Sequence, residues 1–302
     1  MSCPPSGIWI VAMSTDSLIF RHALVASLLA ASVAPLSGQA PADTTKKTAP
    51  NSDLPLIPTR PLKFTTDEGT WMSLDLSPDG RTIVFDLLGD LYTLPTSGGA
   101  ATRIVGGSGF DGQPRFSPDG KSIVYVSDRS GSENLWLVDP DGKNPRALTK
   151  GSGFAYASPD WTPDGNYVVT SKGAGTFDLW MVHKDGGAGF KLTGQTPPPA
   201  AGQGGGPGGG GGPNHFMGAN VSPDGRYIYT NARTGGSAYN QMLGTSYQIY
   251  MYDRQTGRNF ARTQNMGAGM RPAISPDGKW MAYASRKMAV TGLKLRELST
   301  GD

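Results

Sequence analysis

The chain is 302 residues long and carries 27 Lys and Arg against 24 Asp and Glu, a net charge of +3. That charge is dispersed, and no basic run is interleaved with aromatics, which argues against nucleic acid as a partner. A single cysteine, Cys3, excludes a disulfide framework.

Residues 1–42 read as a leader. Arg21 precedes an apolar run from Ala23 to Ala34, and Ala40 and Ala42 form an A-x-A arrangement before Asp43. This is the pattern of a secretory signal peptide. The apolar run is shorter than the roughly 20 residues that a spanning helix needs, so no stable membrane span is expected once the segment is cleaved. An uncleaved anchor is the alternative. Met13 lies closer to the apolar core than Met1 and reads as the true start. Cys3 lies in the doubtful leader, so the exported part carries no thiol, and a lipoprotein is not expected. The expected location is the periplasm or the outside of the cell. Residues 43–61, rich in Pro, read as a tether.

From residue 62 the chain repeats. "SPDG" stands at Ser77–Gly80, Ser117–Gly120, Ser222–Gly225 and Ser275–Gly278, with "TPDG" at Thr162–Gly165. Pro presets φ, Asp tolerates the bridge region and Gly takes the positive φ that ends such a turn. The Ser hydroxyl is expected to accept from backbone two or three residues on. Each turn is followed by a β-branched and aromatic run of strand length, such as "KSIVYVS" and "RYIYTN". Steps near 40 residues with four short strands per unit are the mark of a propeller blade. The blades are expected near residues 71–105, 112–149, 155–193, 215–264 and 270–302. The third strand of four units repeats an apolar–aromatic pair, Leu91-Tyr92, Leu135-Trp136, Leu179-Trp180 and Ile249-Tyr250, which reads as packing between blades.

The step from Pro163 to Pro223 is long because it contains the Gly/Pro tract 197–213, which has no apolar side chain larger than Ala and reads as a disordered loop. A second insertion, residues 235–247, stretches the fourth unit. The fifth unit stops before an outer strand, and "PLKFT" at 61–65 resembles an outer strand with no blade of its own. Two readings stay open. Either five blades close with that first strand completing the last blade, or the sequence is part of a larger propeller, which is the reading we place first.

Catalytic patterns are missing from these residues. His22, His183 and His215 form no H-x-H or H-E-x-x-H. "GGSGF" and "GTSYQ" both miss the G-x-S-x-G elbow. "DPDGKN" lacks the alternating carboxylates of a calcium loop. We expect no catalytic residue, metal site or cofactor in this chain. One constellation points to binding. Arg129, Lys172, Arg233 and Arg286 follow the second strand of their units, seven to nine residues past each turn Gly, while Asp86 breaks the series in the first unit. If these side chains ring the channel mouth, their field would attract a carboxylate, phosphate or acidic peptide. The competing reading is a set of solvated loop charges pairing with neighbours such as Asp128.

The runs "TDEGTWMSLDLSPDGRTIVFDLLGDLYTLPTSGGAATRI" and "FDGQPRFSPDGKSIVYVSDRSGSENLWLVDPDGKNPRALT" resemble the TolB-like propeller repeats, most of all those at the front of secreted bacterial amidohydrolases. The resemblance covers residues 61–302. It implies an all-β propeller acting as a binding, gating or protein-interaction module. In those relatives a catalytic domain, with a metal such as zinc, lies downstream. Similar blades occur in prolyl-oligopeptidase-type serine peptidases and in stand-alone periplasmic scaffold proteins, so the repeat specifies fold more tightly than function.

Overall fold

The computed structural model describes residues 64–193, 214–233, 247–263, 268–287 and 290–300. The leader, the tether, the tract 197–213 and most of the insertion at 235–247 lie outside the described residues. Nineteen strands fall into five antiparallel sheets, and no helix occurs among the described residues. Sheet 1 holds β1 (Leu74–Leu76), β2 (Thr82–Leu87), β3 (Asp90–Pro95) and β4 (Thr102–Val105). Sheet 2 holds β5 (Asp111–Phe116), β6 (Ile123–Ser127), β7 (Asn134–Val138) and β8 (Arg146–Ala147). Sheet 3 holds β9 (Ala155–Trp161), β10 (Tyr167–Ala174), β11 (Thr176–His183) and β12 (Phe190–Lys191). Sheet 4 holds β13 (Asn214–Val221), β14 (Tyr227–Arg233), β15 (Tyr247–Asp253) and β16 (Arg258–Ala261). Sheet 5 has three strands, β17 (Ala268–Ile274), β18 (Trp280–Lys287) and β19 (Val290–Glu297). Each sheet pairs in chain order, so each is one blade of a propeller.

The turn between the first two strands of each blade is the same object five times. Its Gly sits at φ between 67° and 71°, where a side chain is strained. The Ser acts further along the chain than local turn chemistry predicts. Ser77 Oγ donates to Asp79 at 2.6 Å and accepts from the N–H of Thr82, five residues on, at 2.9 Å. Ser117, Ser222 and Ser275 do the same. These hydroxyls, or that of Thr162, and the N–H two residues past each Asp hold Asp79, Asp119, Asp164, Asp224 and Asp277 below the usual carboxylate range. The turns lie side by side. A β-carbon on Gly120 would stand 3.5 Å from the Pro78 ring, one on Gly165 3.8 Å from Pro118, and one on Gly225 3.4 Å from Pro163.

Strand alternation sends successive side chains to opposite neighbours. In blade 2, Ile123, Tyr125, Trp136 and Val138 join Val84 and Leu91 of blade 1, while Val124, Val126, Leu135 and Leu137 join Trp161, Val168 and Val182 of blade 3. Two more clusters fill the junctions of blades 3 with 4 and 4 with 5. Among the described residues the core is therefore four separate seams. Leu91, Leu135, Leu179 and Ile249, the apolar members of the third-strand pairs, are all fully buried. Their fifth counterpart, Leu293, is 81% exposed, as are Leu295 and, on blade 1, Trp71 and Leu74 in large part. The packing of first strands runs β1–β5–β9–β13–β17, and no comparable contact joins β17 to β1. Phe64 and Thr65 form no strand on β19.

Candidate functional site

Each second strand starts at the SPDG turn, so Arg129, Lys172, Arg233 and Arg286 stand at its far end, on the opposite rim. They are not rotational equivalents. They lie nine, seven, eight and eight residues past their turn Gly. A period of two therefore places Lys172 on one face of its strand and Arg233 and Arg286 on the other, while Arg129 sits in the turn after β6.

The first pair folds back on its own blade. Arg129 Nη2 meets Asp111 Oδ2 at 2.7 Å, where Asp111 is fully buried and Arg129 is 12% exposed. The guanidinium lies over the rings of Tyr125 and Trp136, at 5.8 and 5.4 Å. Its carboxylate partner is thus Asp111, not the neighbouring Asp128, which instead accepts from the Phe110 N–H at 2.7 Å. Lys172 Nζ lies 4.4 Å from the Trp180 ring, 4.7 Å from Phe154 and 5.5 Å from Tyr156. Cations so placed are held by the negative ring faces. The second pair differs, since Arg233 and Arg286 are exposed. Burial and the Arg233 charge hold the His215 imidazole below its ordinary range, and its ring packs edge-on against Phe177. His183 lies edge-on to Tyr167 instead, well apart in sequence, at the end of β11.

Asp86, the break in the basic series, has a structural task. It is buried, and its two oxygens accept from the Ser73 N–H at 2.8 Å and the Gln113 N–H of blade 2 at 2.7 Å. Gln113 sits in a β-bulge at φ 57°. The same step, four residues before the turn Ser or Thr, carries Ser158, Gly218 and Arg271, all at positive φ. Side chains of the preceding blade receive these bulges: Gln113 accepts from the Ser158 N–H, and Asn231 from the Arg271 N–H at 3.4 Å.

A second set of ties lies two residues before the turn. Asp75 accepts from the Phe116 N–H at 2.8 Å, Asp160 from the Val221 N–H at 2.7 Å, and Asn220 from the Ile274 N–H at 2.8 Å. Blade 2 has Arg115 there, 3.7 Å from Asp75 and bonded to the Leu74 carbonyl. Burial pushes Asp160 up to about 6, against the pull of Arg115. Burial also raises Asp75, again opposed by Arg115. Both carboxylates are committed to backbone N–H groups of the next blade. Their chemistry here is to lock first strands together. The sequence carries a trace of these ties in the polar residue that interrupts the first strand of blades 1 to 4, where blade 5 has Ala273. The bulges leave no such trace, because their residues share no side-chain type.

Against known proteins, residues 57–196 match the family described as TolB beta propeller domain. Among curated proteins the chain is similar to the uncharacterized protein Atu1656 of Agrobacterium fabrum, 34% identical over 107 residues, which is 34% of this chain and 36% of that one. It is also similar to dipeptidyl-peptidase 5 of Porphyromonas endodontalis, 24% identical over 251 residues, 70% of this chain and 36% of that one. The chain thus spans about a third of the length of these relatives. Among solved structures, the putative TolB from Agrobacterium tumefaciens superposes with a TM-score of 0.60 at 21% identity, covering 76% of this chain and 78% of that one. Five consecutive radial blades, one recurring turn and the match over 57–196 lead to one conclusion: the chain carries a TolB-like β-propeller.

Proposed function

We propose that this propeller is an exported, non-catalytic binding or gating module that forms the front of a larger secreted hydrolase. The observation that carries the reading is one of proportion: a 251-residue match accounts for only 36% of dipeptidyl-peptidase 5, so in that relative a propeller-like stretch accompanies other chain. The leader, with its A-x-A site before Asp43, supports delivery to the periplasm or the outside of the cell. The partner is a protein or peptide, or a catalytic domain on the same polypeptide, and the exposed Arg233 and Arg286 favour an acidic ligand at the rim opposite the SPDG turns.

The resemblance of the repeats to amidohydrolase propellers supports a metal-dependent amidohydrolase as the first reading, with its metal held by the catalytic domain. The dipeptidyl-peptidase similarity favours a second reading, the propeller of a prolyl-oligopeptidase-type serine peptidase. Sequencing the reading frame past Asp302 separates them, since H-x-H supports the first and G-x-S-x-G the second. The binding role is tested on the purified chain. It is expected to hydrolyse no amide, ester or peptide substrate, with or without zinc. Turnover by this chain refutes the non-catalytic reading.

A further inference from the structure

A groove of about 500 Å³ lies between blades 2 and 3 on the SPDG rim, away from the basic residues discussed above. Its lining includes Leu137 and Trp161, which are 3% and 7% exposed, and the rings of Pro118 and Pro163. The exposed Lys121, Arg146 and Lys184 also line it. Two carboxylates face it too, Asp119 and Asp164. Each has Oδ1 engaged within its turn, by Ser117 and the Lys121 N–H in one case and by Thr162 and the Asn166 N–H in the other. Among the described residues, no carboxylate lies within 4.0 Å of the charged nitrogens of Lys121, Arg146 or Lys184. Three cations thus face two anions whose charge is already shared with donors.

The repeat supplies a control. Lys184 and Arg254 occupy the same step, five residues past Leu179 and Ile249. Between blades 3 and 4, Arg254 reaches across the equivalent space. Its Nη1 donates to the Gly225 carbonyl at 2.6 Å, and its Nη2 lies 3.9 Å from Met181 Sδ, where blade 2 has Leu137. Between blades 2 and 3 the shorter Lys184 does not make that crossing. Its backbone carbonyl instead accepts from Arg146 Nη2 at 2.8 Å, which holds Arg146 at the rim. One junction is spanned by the guanidinium of Arg254 and the other by that of Arg146, beside which the groove of about 500 Å³ stays open.

We propose that the open junction is a binding site for a short acidic peptide segment, whose apolar side chain rests on Leu137 and Trp161 and whose carboxylates meet Lys121, Arg146 and Lys184. The volume falls within the roughly 300–1,000 Å³ of ordinary ligand pockets, and the lining combines an apolar floor with a cationic rim. The proposal rests on the reading of the chain as a binding module, and it adds a second cationic surface, on the SPDG rim, to the one at Arg233 and Arg286.

The test titrates fluorescein-labelled acetyl-Glu-Leu-Glu-amide into the full chain and follows anisotropy. Lys184→Arg keeps the charge but supplies the longer side chain that closes the other junction, so it is expected to weaken binding at least tenfold with unchanged melting. Lys121→Glu is expected to weaken it by a similar factor. Lys294→Ala, an exposed cation on β19 away from the groove, is expected to leave it intact. Full binding in Lys184→Arg and Lys121→Glu, with loss on Arg233→Ala and Arg286→Ala, overturns the groove while the binding-module reading stands. Equal binding of acetyl-Lys-Leu-Lys-amide also overturns the groove. No binding of any peptide by any form counts against both.

Discussion

The carboxylate of Asp86 in blade 1 accepts the backbone N–H of Gln113 in blade 2 at 2.7 Å, so one buried side chain fixes both its own first strand and the bulge of its neighbour. Bonds to a charged acceptor contribute about 1.5–3 kcal/mol each, and an orphaned buried N–H adds its own cost. Asp86→Ala is therefore expected to lower unfolding free energy by about 3 kcal/mol or more. Asp86→Asn keeps one acceptor and should cost about half as much. Urea titration of the two variants checks the ratio.

Arg129 gives a sharper case, because it was legible as a loop charge and is instead half of a buried pair with Asp111. Removing one partner of a buried pair typically costs about 3–5 kcal/mol, since the remaining charge is uncompensated. Arg129→Ala should shift the urea midpoint markedly, whereas Arg233→Ala and Arg286→Ala should leave it within about 0.5 kcal/mol of wild type. A small effect at Arg129 would count against the pair.

The turn glycines separate backbone strain from crowding. Gly80 and Gly120 share φ near 70°, at 71° and 69°, yet a β-carbon on Gly80 meets nothing within 4 Å, while one on Gly120 touches Pro78 at an ordinary 3.5 Å. Ala at either site should cost about 1–2 kcal/mol, the left-handed penalty alone, and the two values should agree. Gly120→Val adds β-branching at positive φ and should cost more. Thermal melts of the three variants decide it.

Asp160 makes stability depend on pH in an unusual direction. Its folded value, about 6, lies above the ordinary 3.8. A raised carboxylate favours folding in its protonated form, so this contribution is full below about pH 4 and is lost as pH rises through 6. Asp160→Asn keeps an oxygen for the Val221 N–H, as Asn220 does for Ile274 in the next blade. The variant should match wild type near pH 4 and exceed it at pH 7 by up to about 3 kcal/mol, at 1.36 kcal/mol per unit. Chemical denaturation at the two pH values measures it.

The blades were readable because a Ser-Pro-Asp-Gly turn fixes backbone geometry locally, and the β-branched run after it fixes the second strand. The turn hydroxyls act over five residues, which spacing alone does not reveal. Gln113, Ser158, Gly218 and Arg271 share a bulge but no chemistry, so only the register exposes them. The four basic residues differ in placement for a reason present in the sequence. Seven, eight and eight residues past a turn differ in parity, and parity selects the face of a strand, while nine carries Arg129 beyond the strand into a turn. What parity does not disclose is that Asp111, 18 residues before Arg129, completes the pair.

Because each apolar seam is shared by two adjacent blades and none reaches further, this chain has the energetics of a short linear array. Among the described residues, blades 2, 3 and 4 each lean on two neighbours, whereas blades 1 and 5 lean on one. Amide protons should therefore exchange fastest in β1 and β19 and slowest in β10, at the centre of the array.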